Sequence, residues 1–282
     1  MKKLHFLMAI ILAALVMLPA GCDDDEEEPV VMKMVMVELA TGDLFTIDVD
    51  AANYTKVGHL TLNGDSLLGL RSLVYHPEME TCFGGMNCGS ADWWGFVLKI
   101  DLAMGTATVL NNDEERDWCG ITDMVINSDG DPTGLVWSNG VSASALQSWD
   151  KTTGEPGATY PITDGVNADF WDKGGIAPGS TVSEYIVGGT GEIHKVNAQG
   201  LITETVALQN SATMNGANMR IMDLEKDGDK LYAMVINFGD VEVHYQFLVE
   251  IDMGTGAVTE LIQLGERKTF HGLAMVPEEV LP

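Results

Sequence analysis

The sequence predicts an all-β fold, a five-bladed β-propeller of four-stranded blades whose ring is closed by pairing its N- and C-terminal segments. Three observations predict it. A phrase of apolar alternation, Asp or Asn, then a turn recurs five times, its polar position falling at Asp48, Asp101, Asp150, Asn197 and Asp252, separated by 53, 49, 47 and 55 residues. A second phrase lies between these, centred on Ser72, Asp123, Gly175, Asp223 and Gly272, separated by 51, 52, 48 and 49. Short alternating segments repeated at a period near 50 are the mark of propeller blades. Finally, the chain opens mid-blade with "KMVMVELATGDLFTID" and stops after "FHGLAMVPEE". The first segment therefore supplies the outer three strands of the last blade and the second its inner strand, which removes an exposed edge.

Ahead of the propeller stands a leader, residues 1–21. Met1-Lys2-Lys3 is followed by an apolar run from about His5 to Leu18. A cationic start, a short apolar stretch and small residues before a cut describe a secretory signal peptide, and the run is short of the roughly 20 apolar residues a membrane-spanning helix needs. Its end, Ala20-Gly21-Cys22, resembles the lipobox of bacterial lipoproteins, with Pro19 where that family usually has Leu. The resemblance implies cleavage before Cys22, lipidation of its thiol and a hold on the lipid bilayer. Six acids follow, Asp23 to Glu28. Like charges in a row stay extended and solvated, so residues 22–30 read as a tether and 31–282 as the propeller. Acids after the lipidated cysteine also look like surface-export signals of some Gram-negative lipoproteins. The bacterial cell envelope is the expected location, with the outer membrane or cell surface favoured over the inner membrane.

Charge narrows the partners. The chain has 15 basic and 42 acidic residues, a net −27, and losing Lys2 and Lys3 with the leader takes it to −29. Such a surface repels phosphate backbones, which excludes nucleic acid as a partner. Of four cysteines, Cys22 carries the lipid and Cys82, Cys88 and Cys119 remain. Oxidising surroundings allow one disulfide. Cys88–Cys119 is the pair if "CFGGMNC" is an extended strand, and Cys82–Cys88 if it is a tight loop. No Cys and His spacing suits zinc.

Within a blade, the second phrase reads as the innermost strand, "KLYAMVIN" as the next, "FLVEID" as the third and "AVTELIQL" as the outermost. The Asp of D-x-x-T-G caps backbone amides in the last hairpin and its Gly takes a positive φ. "SDGD" (128–131) and "KDGD" (226–229) fall at one inter-strand turn in two repeats and read as β-turns, because neither carries the Glu an EF-hand loop requires. Strand direction then sorts the loops. One face, termed the upper, receives long ones such as "MNCGSADWWG", "NNDEERDWCG" and "TDGVNADFWDKGG"; the lower face receives short turns such as "KTTG" and "MGTG". Long loops on a rigid scaffold are where binding resides. Trp93, Trp94, Trp118, Trp171, Asp172, Arg220 and His271 are the candidate ligand-binding residues, although tryptophans there also suit the gaps between blades. Asp123 and Asp223, in the innermost strands, either hold a structural cation in the channel or bond backbone amides; no cofactor is otherwise implied.

Residues 120–162, "GITDMVINSDGDPTGLVWSNGVSASALQSWDKTTGEPGATYPI", and 222–239, "MDLEKDGDKLYAMVINFG", resemble stretches of the propeller-type glutamine cyclotransferases. That resemblance implies the five-bladed architecture. The activity it would add is cyclisation of N-terminal glutamine, with Asp223 and Glu225 as the proton-transfer groups. Serine-nucleophile and phosphate-loop motifs are absent from the sequence. The leading expectation is a non-enzymatic envelope lipoprotein that binds a protein, peptide or glycan on its upper face. A cyclotransferase-like enzyme and a purely structural envelope protein are the alternatives.

Overall fold

A computed structural model describes residues 30–86, 95–110, 120–137, 144–166, 174–237, 244–266 and 270–282. The chain divides after Val30, and the propeller occupies Val31–Pro282. The first strands are β1 (Met32–Glu38), β2 (Asp43–Asp48) and β3 (Asn53–His59). A small hairpin, β4 (Thr61–Leu62) and β5 (Asp65–Ser66), precedes blade 1, made of β6 (Leu70–His76), β7 (Thr81–Met86), β8 (Val97–Asp101) and β9 (Thr106–Val109). Blade 2 is β10 (Gly120–Ile126), β11 (Pro132–Trp137), β12 (Ser144–Trp149) and β13 (Pro156–Pro161). Blade 3 is β14 (Ile176–Pro178), β15 (Glu184–Gly188), β16 (Glu192–Asn197) and β17 (Ile202–Ala207). Blade 4 is β18 (Met219–Asp227), β19 (Lys230–Asn237), β20 (Tyr245–Ile251) and β21 (Val258–Glu266). Then β22 (Phe270–Pro277) returns to pair with β1, giving blade 5 the order β22-β1-β2-β3. The strand order within each blade and the closure by the two chain ends are those the repeat phase predicts.

Period-2 alternation explains why the blades stack. In "MVMV" of β1, Met34 and Met36 face blade 4, packing with Met222, Met234 and Leu248. Val35 and Val37 face blade 1, packing with Leu73, Leu98 and Ile100. Every blade does the same, so the buried apolar residues fall into one cluster per blade interface, five in all among the described residues. Both faces of each sheet are covered, and burial of apolar area between sheets drives the assembly.

Two features go beyond the expectation. The Asn63-Gly64 turn, with φ of 55° and 90°, folds β4 and β5 into a hairpin that pairs with β9 and extends blade 1 to six strands. Asn-Gly is a strong hairpin signal. The outer turns also have a second task. Each Asp or Asn caps its own turn: Asp252 Oδ1 accepts from Gly254 N at 2.9 Å and Thr255 N at 2.8 Å, and Asp48, Asp101, Asp150 and Asn197 act alike. The glycine at the end of three of these turns also touches the preceding blade. Gly256 has φ 74°, its carbonyl accepts from Gln209 N at 2.8 Å, and a Cβ there would overlap the carbonyl oxygen of Ala207. Gly105 and Gly200 stand in the same relation to His59 and Pro161. The repeated Asp-turn is thus a latch between neighbouring blades.

Candidate functional site

An innermost strand has no strand partner on its axial edge, so some of its N–H groups point into the hub and need acceptors. Four of the five innermost strands carry a bulge at the same height, seen as register shifts at Leu70/Ser72, Ile121/Asp123 and Ile221/Asp223 and, on the pair β1–β22, at Val35/Val37. A bulge re-aims the side chain beside it. Asp123 and Asp223 follow such bulges and are both fully buried. Asp123 Oδ1 accepts from Met124 N at 2.8 Å, and its Oδ2 accepts from Ile176 N at 2.8 Å and Leu224 N at 3.0 Å. One carboxylate therefore joins blades 2, 3 and 4. Asp223 Oδ1 accepts from Gly272 N at 3.0 Å, and its Oδ2 lies 3.1 Å from His271 Nδ1, joining blades 4 and 5. Gly175 completes the fit, since a Cβ there would press on Leu224 and Asp223.

The electrostatics follow from this crowding. Burial pushes Asp123 well above the usual carboxylate range, and the neighbouring Asp223 charge adds to the rise, while the three N–H donors oppose it. Lower in the same strand as Asp223, burial pushes Glu225 up to about 8, against N–H groups of Lys226 and Met275 and with help from Asp227.

The sequence-derived site residues fare unequally. Trp93, Trp94, Trp118, Trp171, Asp172, Cys22, Cys88 and Cys119 lie outside the described residues. The described residues next to the segments that hold Trp93, Trp94, Trp118, Trp171 and Asp172 are Met86 and Gly95, Leu110 and Gly120, and Val166 and Gly174. Arg220 is half-buried in β18, bridged to Thr190 of blade 3. His271 is 0 % exposed, with Nδ1 3.1 Å from Asp223 Oδ2, beside the bulge at Gly272, φ 66°. Of the two readings of Asp123 and Asp223, the geometry is that of amide acceptors. No group of three or more His, Cys, Asp or Glu side chains able to hold a metal occurs among the described residues. Asp223 as a proton-transfer group is sealed from solvent, and Glu225 is partly so. Cys82 is a buried free thiol inside the extended strand β7, which removes the tight loop on which Cys82–Cys88 pairing depended.

Sequence reasoning missed three clefts between blades on the lower face. One of about 970 Å³ opens between blades 4 and 5, ringed by Lys33, Asp48, Asp50, Asp227, Lys230 and Glu278. One of about 480 Å³ lies between blades 5 and 1, with Glu80, Lys99, Asp101 and Glu279. The third, about 230 Å³, lies between blades 2 and 3 and includes Tyr160 and Tyr185. Finding them takes the facing of each strand, which the alternation gives, and the gap between sheets, which it does not.

No protein-family model matches the chain, and no curated protein does. Solved structures similar to it include a chain of a nidogen/laminin complex, at 8% identity and TM-score 0.54, covering 87% of this chain and 98% of that one. An exo-β-1,3-galactanase from Phanerochaete chrysosporium, solved with β-1,3-galactotriose, matches at 11% identity and TM-score 0.56 over 79% of this chain and 56% of its own. A gluconolactonase from Xanthomonas campestris matches at 10% identity and TM-score 0.50 over 83% and 73%. At such identities the likeness concerns the fold: this chain is a five-bladed β-propeller with distant propeller neighbours.

Proposed function

We propose that this protein is a lipid-anchored binding module of the bacterial cell envelope, held to a membrane by acylated Cys22 and recognising a protein, peptide or glycan through its upper face. Residues 1–21 are its leader, 22–30 its tether and 31–282 its propeller. One observation carries the reading. The chain enters the ring at the lower end of blade 5, where Met32 pairs with Pro277 and Glu278 N donates to Val31 O at 2.8 Å. The chain therefore joins the ring at the end opposite the upper face, to which Trp93, Trp94, Trp118, Trp171 and Asp172 belong by sequence. The hub supports a binding role over a catalytic one, because its carboxylates accept hub N–H groups instead of facing a substrate.

The test has two parts. Labelled palmitate should enter the wild-type chain and its Cys22→Ala variant should lose both label and membrane association; a labelled Cys22→Ala chain contradicts the anchor. On peptide and glycan arrays, Trp118→Ala with Trp171→Ala should abolish retention of the bound class with thermal unfolding nearly unchanged. Unchanged retention, or a collapse of stability, contradicts the assignment of those tryptophans to a binding face.

A further inference from the structure

The cleft between blades 2 and 3 differs in kind from the other two. Charged side chains ring the other clefts, in a chain where 20% of residues are charged, yet among the described residues Asp129 is the one charged side chain lining this cleft. Its floor is apolar and fixed. Leu146 is buried, and Tyr185, 7 % exposed, shares the lining with Thr133, whose hydroxyl accepts from Asn127 Nδ2 at 3.0 Å. The outer wall is Tyr160 on the edge strand β13, 39 % exposed and opposite Leu146 in register. Hydroxyl and amide groups of Ser148, Ser183 and Gln199 complete the lining.

An apolar floor, an accessible aromatic face and a lining of neutral donors and acceptors suit one ligand chemistry. A pyranose presents an apolar C–H face, which lies against an aromatic ring, and a girdle of hydroxyls, which need neutral polar partners. Aromatic walls with a few placed polar groups are the ordinary make-up of small-molecule sites. At about 230 Å³ the cleft is smaller than the roughly 300 Å³ where drug-sized pockets begin, which limits its occupant to one ring. We infer that the lower cleft between blades 2 and 3 binds a single sugar ring, as a free hexose or the end residue of a glycan, with Tyr160 as its stacking wall. This site is separate from the upper face and does not depend on the anchor.

Saturation-transfer NMR on the full chain with glucose, galactose, mannose and N-acetylglucosamine, each on the order of 10 mM, tests it. At least one sugar should bind with a millimolar Kd. Tyr160→Ala should weaken that binding by about tenfold or more. Ala158→Trp, placed on the same exposed strand so as to fill the cleft, should abolish it, and both variants should unfold as the wild type does. The Trp118→Ala, Trp171→Ala chain should bind the sugar unchanged. No binding by any of the four sugars overturns the inference. So does binding that survives both cleft substitutions, or binding lost in the upper-face variant alone, which would move sugar recognition to the upper face.

Discussion

Two sets of aspartates recur along this chain at nearly one period, and they do opposite things. Asp48, Asp101, Asp150 and Asp252 stand in outer turns, where each caps amides two or three residues away in its own turn. Asp123 and Asp223 stand in the hub, fully buried, and accept N–H groups 53, 101 and 49 residues away in other blades. The outer set shapes a hairpin; the inner set joins blades. A periodic acid is therefore a marker of the repeat and says nothing about reach. Reach depends on burial, and on whether the backbone nearby has N–H groups left over.

The comparison is broken most sharply by substitution. Asp123→Ala leaves buried N–H groups of three blades without an acceptor and should destabilise the fold by about 3–5 kcal/mol. Asp252→Ala removes an exposed cap and should lower the midpoint of urea unfolding far less. Equal losses in the two variants would erase the distinction between hub and turn. The latch glycines come next. At Gly256 an added methyl meets both a positive φ and the neighbouring blade, so Gly256→Ala should be destabilising by about 2–4 kcal/mol. Gly228, φ 58° with nothing within 4 Å, isolates the backbone effect and should lose about 1–2 kcal/mol as Ala. Thermal melts of the two chains separate inter-blade contact from turn strain.

A further effect is on pH. The folded pKa of Glu225, about 8, lies above its ordinary 4.5, so the native state holds that proton more tightly than the unfolded chain. Its contribution is complete below about 4.5 and is lost as pH rises through about 8. Asp123 acts in the same direction. Stability should fall between pH 5 and pH 9, and Glu225→Gln should flatten that slope; an unchanged slope contradicts the assignment. The turn aspartates have the opposite sign. Bonds from Thr255 hold Asp252 below the usual carboxylate range, so its contribution is present above its unfolded pKa and disappears as pH falls through its lower folded value.

Much of the architecture was legible because period and phase are one-dimensional. The spacing of Asp48 to Asp252 counts blades, and the start at "KMVMV" with the stop at "MVPEE" dictates how β1 meets β22. The turns were legible for a similar reason, since Asp and Gly act within five residues. The β4–β5 hairpin carried its signal in Asn63-Gly64 but lies outside the repeat, which is how it escapes a reading built on repetition. What sequence did not supply is anything fixed by the distance between blades. His271 lies against Asp223, Asp123 crosses the hub, and Tyr160 and Tyr185, from two sheets, line one cleft. The candidate ligand residues of the upper loops rest on chemistry and loop length alone.

Amide hydrogen exchange at pH 7 in the wild type and in Asp123→Ala tests the central claim, that a hub carboxylate staples separate blades into the ring. The amides of Ile176 and Leu224, in blades 3 and 4, should be strongly protected in the wild type and exchange much faster in the variant. The amide of Gly272, held by Asp223, should stay protected. Fast exchange at Ile176 and Leu224 in the wild type, or protection there unaffected by loss of Asp123, would contradict it.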